Sequence, residues 1–175
     1  MPYLTHNDIL LAYPFGPPHR LQVVHNPDLW SEILNHNLPD PVKLQFANDV
    51  RDNMPDNIHF GKGIYMFFLE PEHPFPAQVR IKHLLYVGRV QGGTTNYNFF
   101  RRFYKYVKAI GDRTVALNTM RLTNLWPERT FVYYFDLSNR SDDEIRDIES
   151  NIYNKIVPPL NEALEGNARL TRKLY

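Results

Sequence analysis

The chain reads as an α+β protein: a small, mainly antiparallel three-stranded sheet flanked by helices, with an N-terminal helical extension. Three observations predict this. Three short runs, residues 64–69, 81–90 and 130–137, are rich in apolar and aromatic side chains. Two segments, 98–110 and 141–157, repeat apolar residues every three or four positions, as amphipathic helices do. The order strand, strand, helix, strand, helix suits one sheet covered by helices.

The first 57 residues are rich in Pro, Asn and Asp and hold two short helical patterns. Asn26 caps and Pro27 opens one, with Leu29, Trp30, Ile33 and Leu34 on a shared face. Asp40 caps and Pro41 opens the other, with Val42, Phe46 and Val50 in line. Residues 64–69 form an unbroken apolar run between Gly63 and Glu70, the pattern of a strand buried on both faces. Residues 71–76 read as a proline-rich loop, 81–90 as a second strand stopped by Gly92 and Gly93, and 130–137 as a third, aromatic strand. The final helix opens on a capping box, Ser141 with Glu144, and ends at Pro158 and Pro159.

Composition excludes several classes. With 43% hydrophobic and 22% charged residues, 175 residues suit one globular domain with a real core. There is no cysteine, so disulfide scaffolds, thiolate nucleophiles and zinc knuckles are ruled out. No stretch approaches the roughly 18 apolar residues of a membrane span, and residues 1–11 lack the pattern of a signal peptide. A cytoplasmic location with no membrane partner is therefore expected. The seven histidines are scattered without metal-ligand spacing.

The net charge of +1 conceals a strong division. Residues 1–79 carry −5 and residues 130–165 carry −5, whereas residues 80–129 carry +8 and the last ten residues +3. A basic middle third suits a polyanion partner; a solvated face with counter-charges folded nearby is the alternative.

Two helices carry chemistry. Ile145, Ile148, Ile152 and Ile156 form a stripe about 80° wide, and Glu149 lies only about 20° beyond its edge. A carboxylate there needs a metal ion, an arginine or several donors. In the helix 98–110, Phe99, Phe103, Val107 and Ile110 face the core and Arg101, Lys105 and Lys108 the far side. Arg102 and Tyr106 share a flank, where the guanidinium meets either a phosphate or a core-edge acid such as Glu149.

Gly63, Ile64 and Tyr65 on the first strand precede Tyr86, Val87 and Gly88 on the second, with Arg89 directly after. Then follow Arg102 and Tyr106 on a helix, Glu149 on another, and the turn Pro159, Leu160, Asn161. In this order and on these elements the residues resemble the GIY-YIG nuclease superfamily, over about residues 58–165. Residues 1–57 then form a helical extension and 166–175 a basic tail. One departure is the span of 21 residues from Tyr65 to Tyr86, where compact members use a short hairpin; the insertion falls in the proline-rich loop.

The resemblance implies a metal-dependent endonuclease acting on DNA, with double-stranded DNA as the expected partner. Glu149 would hold one Mg²⁺ or Mn²⁺ ion, Arg102 would clamp a phosphate oxygen, and Tyr65 would act as general base with Tyr86 positioning phosphate or water. Tyr106 and Asn161 complete the motif. Arg89, or the metal, would supply the cation a phenolate needs, since a free phenol titrates near pH ~10. Lys82, Arg101, Lys105, Lys108, Arg113, Arg121 and Arg129 would track the phosphate backbone. An RNA-directed nuclease, a catalytically silent nucleic-acid-binding module and a protein-interaction module are the competing readings. A double-strand cut needs a partner subunit or two successive events, which leaves a homo-oligomer open.

Overall fold

The computed structural model describes residues 2–12, 36–70, 82–91 and 98–161. The helix expected from Asn26 and Pro27 and the basic C-terminal tail lie outside them. The strands are β1 Val42–Gln45, β2 Gly63–Leu69, β3 His83–Val90 and β4 Thr130–Asp136; the helices are α1 His6–Ala12, α2 Phe99–Lys108, α3 Leu117–Asn124 and α4 Asp142–Ile156.

The α+β class is as expected, but the sheet has four strands rather than three, all antiparallel, in the order β1-β4-β2-β3. The added strand corrects the helix expected from Asp40 and Pro41. Residues 42–45 pair with β4, Val42 opposite Tyr134 and Gln45 opposite Phe131, and the chain then makes one π-type turn over Phe46–Val50. An unpaired edge on β4 offers its backbone donors and acceptors to this segment, and that pairing overrides the local helical spacing. Part of the N-terminal extension is thereby built into the sheet.

Side-chain alternation gives the sheet two different faces. Ile64 and Met66 of β2, with Leu84 and Val87 of β3, meet Ile145, Ile148, Ile152 and Ile156 of α4 in an aliphatic layer. Tyr65 and Phe67 of β2 point the other way, where Val132 and Tyr134 of β4 meet Phe99, Phe103 and Tyr106 of α2. Helix α4 forms its expected capping box and ends at Val157, a β-branched residue in the left-handed region (φ 49°). That turn throws the chain back toward β3.

Helix α3 had no sequence signal. No side chain caps it, and polar Thr123 and Asn124 sit on its buried side. The Asn124 amide is the reason it is ordered there: its oxygen accepts from the Leu4 N–H (2.9 Å) and the Gly111 N–H (3.0 Å), and its nitrogen donates to the Met120 carbonyl (3.0 Å). One buried side chain thus ties the N-terminal segment to the end of α2. Leu4 and Ile9 pack with Met120 and Leu125 around it. Among the described residues no helix is long and apolar enough to cross a membrane.

Candidate active site

The site is assembled at the edge strand β3. Tyr65 lies opposite Gly88 in the β2–β3 register, and its ring runs across that glycine toward Tyr86. A Cβ at Gly88 would stand 2.5 Å from Tyr65 Cζ and 2.9 Å from Tyr86 Cε1, so only glycine admits both phenols. The two rings are nearly parallel, 26° apart in tilt, with centroids 6.0 Å apart.

Helix α2 brings Arg102 onto them. Asn98 caps the helix by accepting from the Arg101 N–H (2.9 Å), and the Phe99/Phe103 stripe anchors it on the aromatic face. This directs the Arg102 flank toward β3. Arg102 Nε donates to the Tyr65 hydroxyl at 2.8 Å and Nη2 to the Tyr86 hydroxyl at 3.2 Å. The Tyr65 and Tyr106 hydroxyls are 3.1 Å apart.

From the opposite side of the sheet, α4 contributes Glu149. Its carboxylate pairs with Arg89 at 3.0 Å (Nε to Oε2), not with Arg102. Arg89 therefore does not serve a tyrosine, as the sequence suggested. It stands three residues from Tyr86, so strand alternation puts it on the other face. Its Nη1 is buried with no partner among the described residues. Burial pushes the Glu149 carboxyl above its ordinary value, while the charges of Arg89 and Arg102 pull it back.

Asn161 has a structural task. Its amide oxygen accepts from the Val87 N–H (2.9 Å) and its nitrogen donates to the Val87 carbonyl (2.8 Å), while the Leu160 N–H donates to the Leu85 carbonyl (2.9 Å). The turn after α4 thus closes the outer edge of β3 in place of a further strand.

Between α2, α3 and α4 lies a cleft of about 380 Å³. Tyr86, Arg102, Tyr106, Glu149 and Asn161 all line it, together with Lys105 of the basic set. The sequence reading missed Asn118 and Thr119 from α3 and Ser150 and Tyr153 from α4, which complete the wall. Tyr65 does not face the cleft; it is fully buried behind Tyr86 and Arg102. Burial, then the neighbouring Tyr86, raises the Tyr65 phenol above its ordinary value, and Arg102 only partly opposes this. Tyr106 is raised for the same leading reason, and the surrounding phenol oxygens hold Arg102 firmly charged.

The rest of the basic set is dispersed. Lys82 pairs with Glu70 (3.4 Å) and Arg113 with Asp8. Arg121 is half-buried, which lowers its pKa, and neither it nor Arg129 lines the cleft. Arg101, Lys105 and Lys108 stay together, exposed along α2.

The fit of a metal ion is decided by the donors. Among the described residues no cluster of three or more His, Asp or Glu gathers. One cleft carboxylate suits an ion such as Mg²⁺ or Mn²⁺ that keeps most of its water and takes few protein ligands. Comparisons of the chain with protein-family models, with curated proteins and with solved structures return no match.

Proposed function

We propose that the chain is a phosphodiester-cutting endonuclease acting on DNA in a cytoplasmic setting, built on a GIY-YIG-like site. The observation that carries this is the convergence on one cleft of a guanidinium braced by two phenols and a carboxylate from the other face of the sheet. Such a cleft suits a phosphate diester: a fixed cation and hydroxyl donors for its oxygens.

In this reading Arg102 binds and orients a non-bridging phosphate oxygen. Tyr65 holds Arg102 at a fixed angle through the 2.8 Å hydrogen bond. Tyr86 takes the place at the attacking water that the family resemblance implies for Tyr65, because Tyr86 faces the cleft and Tyr65 does not. Glu149, released from Arg89, would hold a divalent ion, and such an ion would supply positive charge to stabilise the leaving oxygen and the loaded phosphorus. Arg89 then either remains beside the carboxylate or turns to a phosphate. Asn161 holds the edge strand, and with it Tyr86, in place.

The test is nicking of supercoiled plasmid in Mg²⁺ against EDTA. Wild type cuts only with Mg²⁺. Glu149→Gln removes that cutting with its far-UV dichroism unchanged, and Tyr86→Phe slows cutting more than Tyr65→Phe does. Wild-type cutting in EDTA, or full activity of Glu149→Gln, sinks the reading.

A further inference from the structure

Outside the cleft, the far side of α2 carries a row of rings exposed to water. Phe60, three residues before β2, is 64% exposed, and Phe100 and Tyr104 are 42% and 49% exposed. The row is continuous. The His59 ring lies 6.4 Å from that of Phe60 and 4.8 Å from that of Phe100, and the Phe100 and Tyr104 rings lie 6.1 Å apart at an 11° tilt. The Phe100 N–H donates to the His59 carbonyl at 3.2 Å, which fixes the loop against the helix. Contiguous large rings in water mark a contact surface more often than scattered ones do.

Charge says what contacts it. Lys108 Nζ sits 4.6 Å over the Tyr104 ring. At about 100° per residue, Phe100 and Tyr104 span about 40° of the helix; Lys108, Arg101 and Lys105 occupy the next ~100°; Arg102 follows about 60° later. Rings, then cations, then the cleft: that is the order met in crossing α2. An apolar protein surface would strand those cations. A nucleotide strand matches both halves, since its base faces stack on rings while its phosphates meet ammonium groups. A duplex hides its base faces, so the occupant has unpaired bases. The helix is about 10–12 Å across, a distance covered by about three nucleotides at 3.4 Å each. Asp56, 3.6 Å from His59, marks the acidic far end.

We infer that the Phe60, Phe100 and Tyr104 row binds unpaired DNA bases a few nucleotides from the phosphate in the cleft, so that the protein engages DNA where a duplex opens into a single strand. This rests on the nuclease reading and adds its substrate class.

The test is fluorescence anisotropy of the full chain in EDTA with three labelled ligands: a blunt duplex, the same duplex with a short DNA overhang, and the same duplex with an RNA overhang. Wild type should bind the DNA overhang about tenfold or more tighter than the blunt duplex, and Phe100→Ala/Tyr104→Ala should erase that difference while leaving blunt-duplex binding alone. Both rings are exposed, so the variant keeps its fold, which far-UV dichroism checks. A variant that keeps the overhang preference, or loses both ligands equally, overturns the inference. Tighter binding of the RNA overhang overturns the DNA assignment. Self-association of wild type that the variant loses in sedimentation makes the row an interface between copies instead. Should wild type bind none of the ligands, the nuclease reading falls as well; should it bind and cut plasmid without using the row, only this inference falls.

Discussion

The two faces of the sheet are packed by opposite strategies. Helix α4 covers one with Ile145, Ile148, Ile152 and Ile156 against Ile64, Met66, Leu84 and Val87, a layer dominated by aliphatic chains. Helix α2 covers the other with rings, and buries the hydroxyls of Tyr65, Tyr106 and Tyr134 with them. Branched aliphatic chains interlock by shape alone. Buried hydroxyls need partners, and their placement is costly when they lack one. Tyr134 has none among the described residues, whereas Tyr65 and Tyr106 meet each other and Tyr65 accepts from Arg102. The aromatic face thus trades packing simplicity for polar groups held at fixed angles. The site stands where the faces meet, at β3, with Arg102 and Tyr86 reaching in from one side and Arg89 and Glu149 from the other.

The division can be broken most directly by one substitution on each face. Ile152→Ala should cost about 2–5 kcal/mol in urea unfolding, with plasmid cutting per folded molecule unchanged. Arg102→Met should do the reverse, lowering cutting about 10²–10³-fold with a smaller loss of stability. If Ile152→Ala slowed cutting as much as Arg102→Met, the two faces would not be separable. A smaller effect is expected at the glycine between the phenols. Gly88→Ala should cost about 1–3 kcal/mol of stability and also slow cutting, because the methyl group displaces Tyr65 and Tyr86.

The last effect shows only in alkali. Burial raises Tyr65, Tyr106 and Tyr134 above their ordinary value of 10.0. The unfolded chain therefore loses phenol protons first, so stability holds in full below about pH 10 and falls as the pH rises past it. Unfolding midpoints measured across that range, alongside tyrosinate absorbance, should show the fall. Its absence would mean the aromatic face opens to water.

Much of this arrangement was legible because it follows from period. The apolar run at 64–69, the aromatic run at 130–136 and the capping box at Ser141 each announce an element by local pattern. The convergence of Tyr86, Arg102 and Glu149 on one cleft was readable from helix flanks and the family-like order of residues. Other parts depend on pairing at long range. Residues 42–45 become a strand only because β4 has a free edge, and α3 stands on the hydrogen bonds of Asn124 more than on any apolar stripe. The Arg89–Glu149 pair was within reach, since a three-residue step along a strand changes face, but it required knowing that α4 covers that face. The basic third of the chain could not be resolved into a surface, because net charge does not say that Lys82 and Arg113 meet Glu70 and Asp8.

The guanidinium of Arg102 gives protons and can accept none. The oxygens of Tyr65 and Tyr86 must therefore receive from it. Tyr65, enclosed on all sides, has the Tyr106 hydroxyl 3.1 Å away as its other partner. Tyr86 lines the open cleft. A residue that cannot reverse its polarity in this way fixes both phenol oxygens as acceptors, one sealed in the core and the other at the rim of the open cleft.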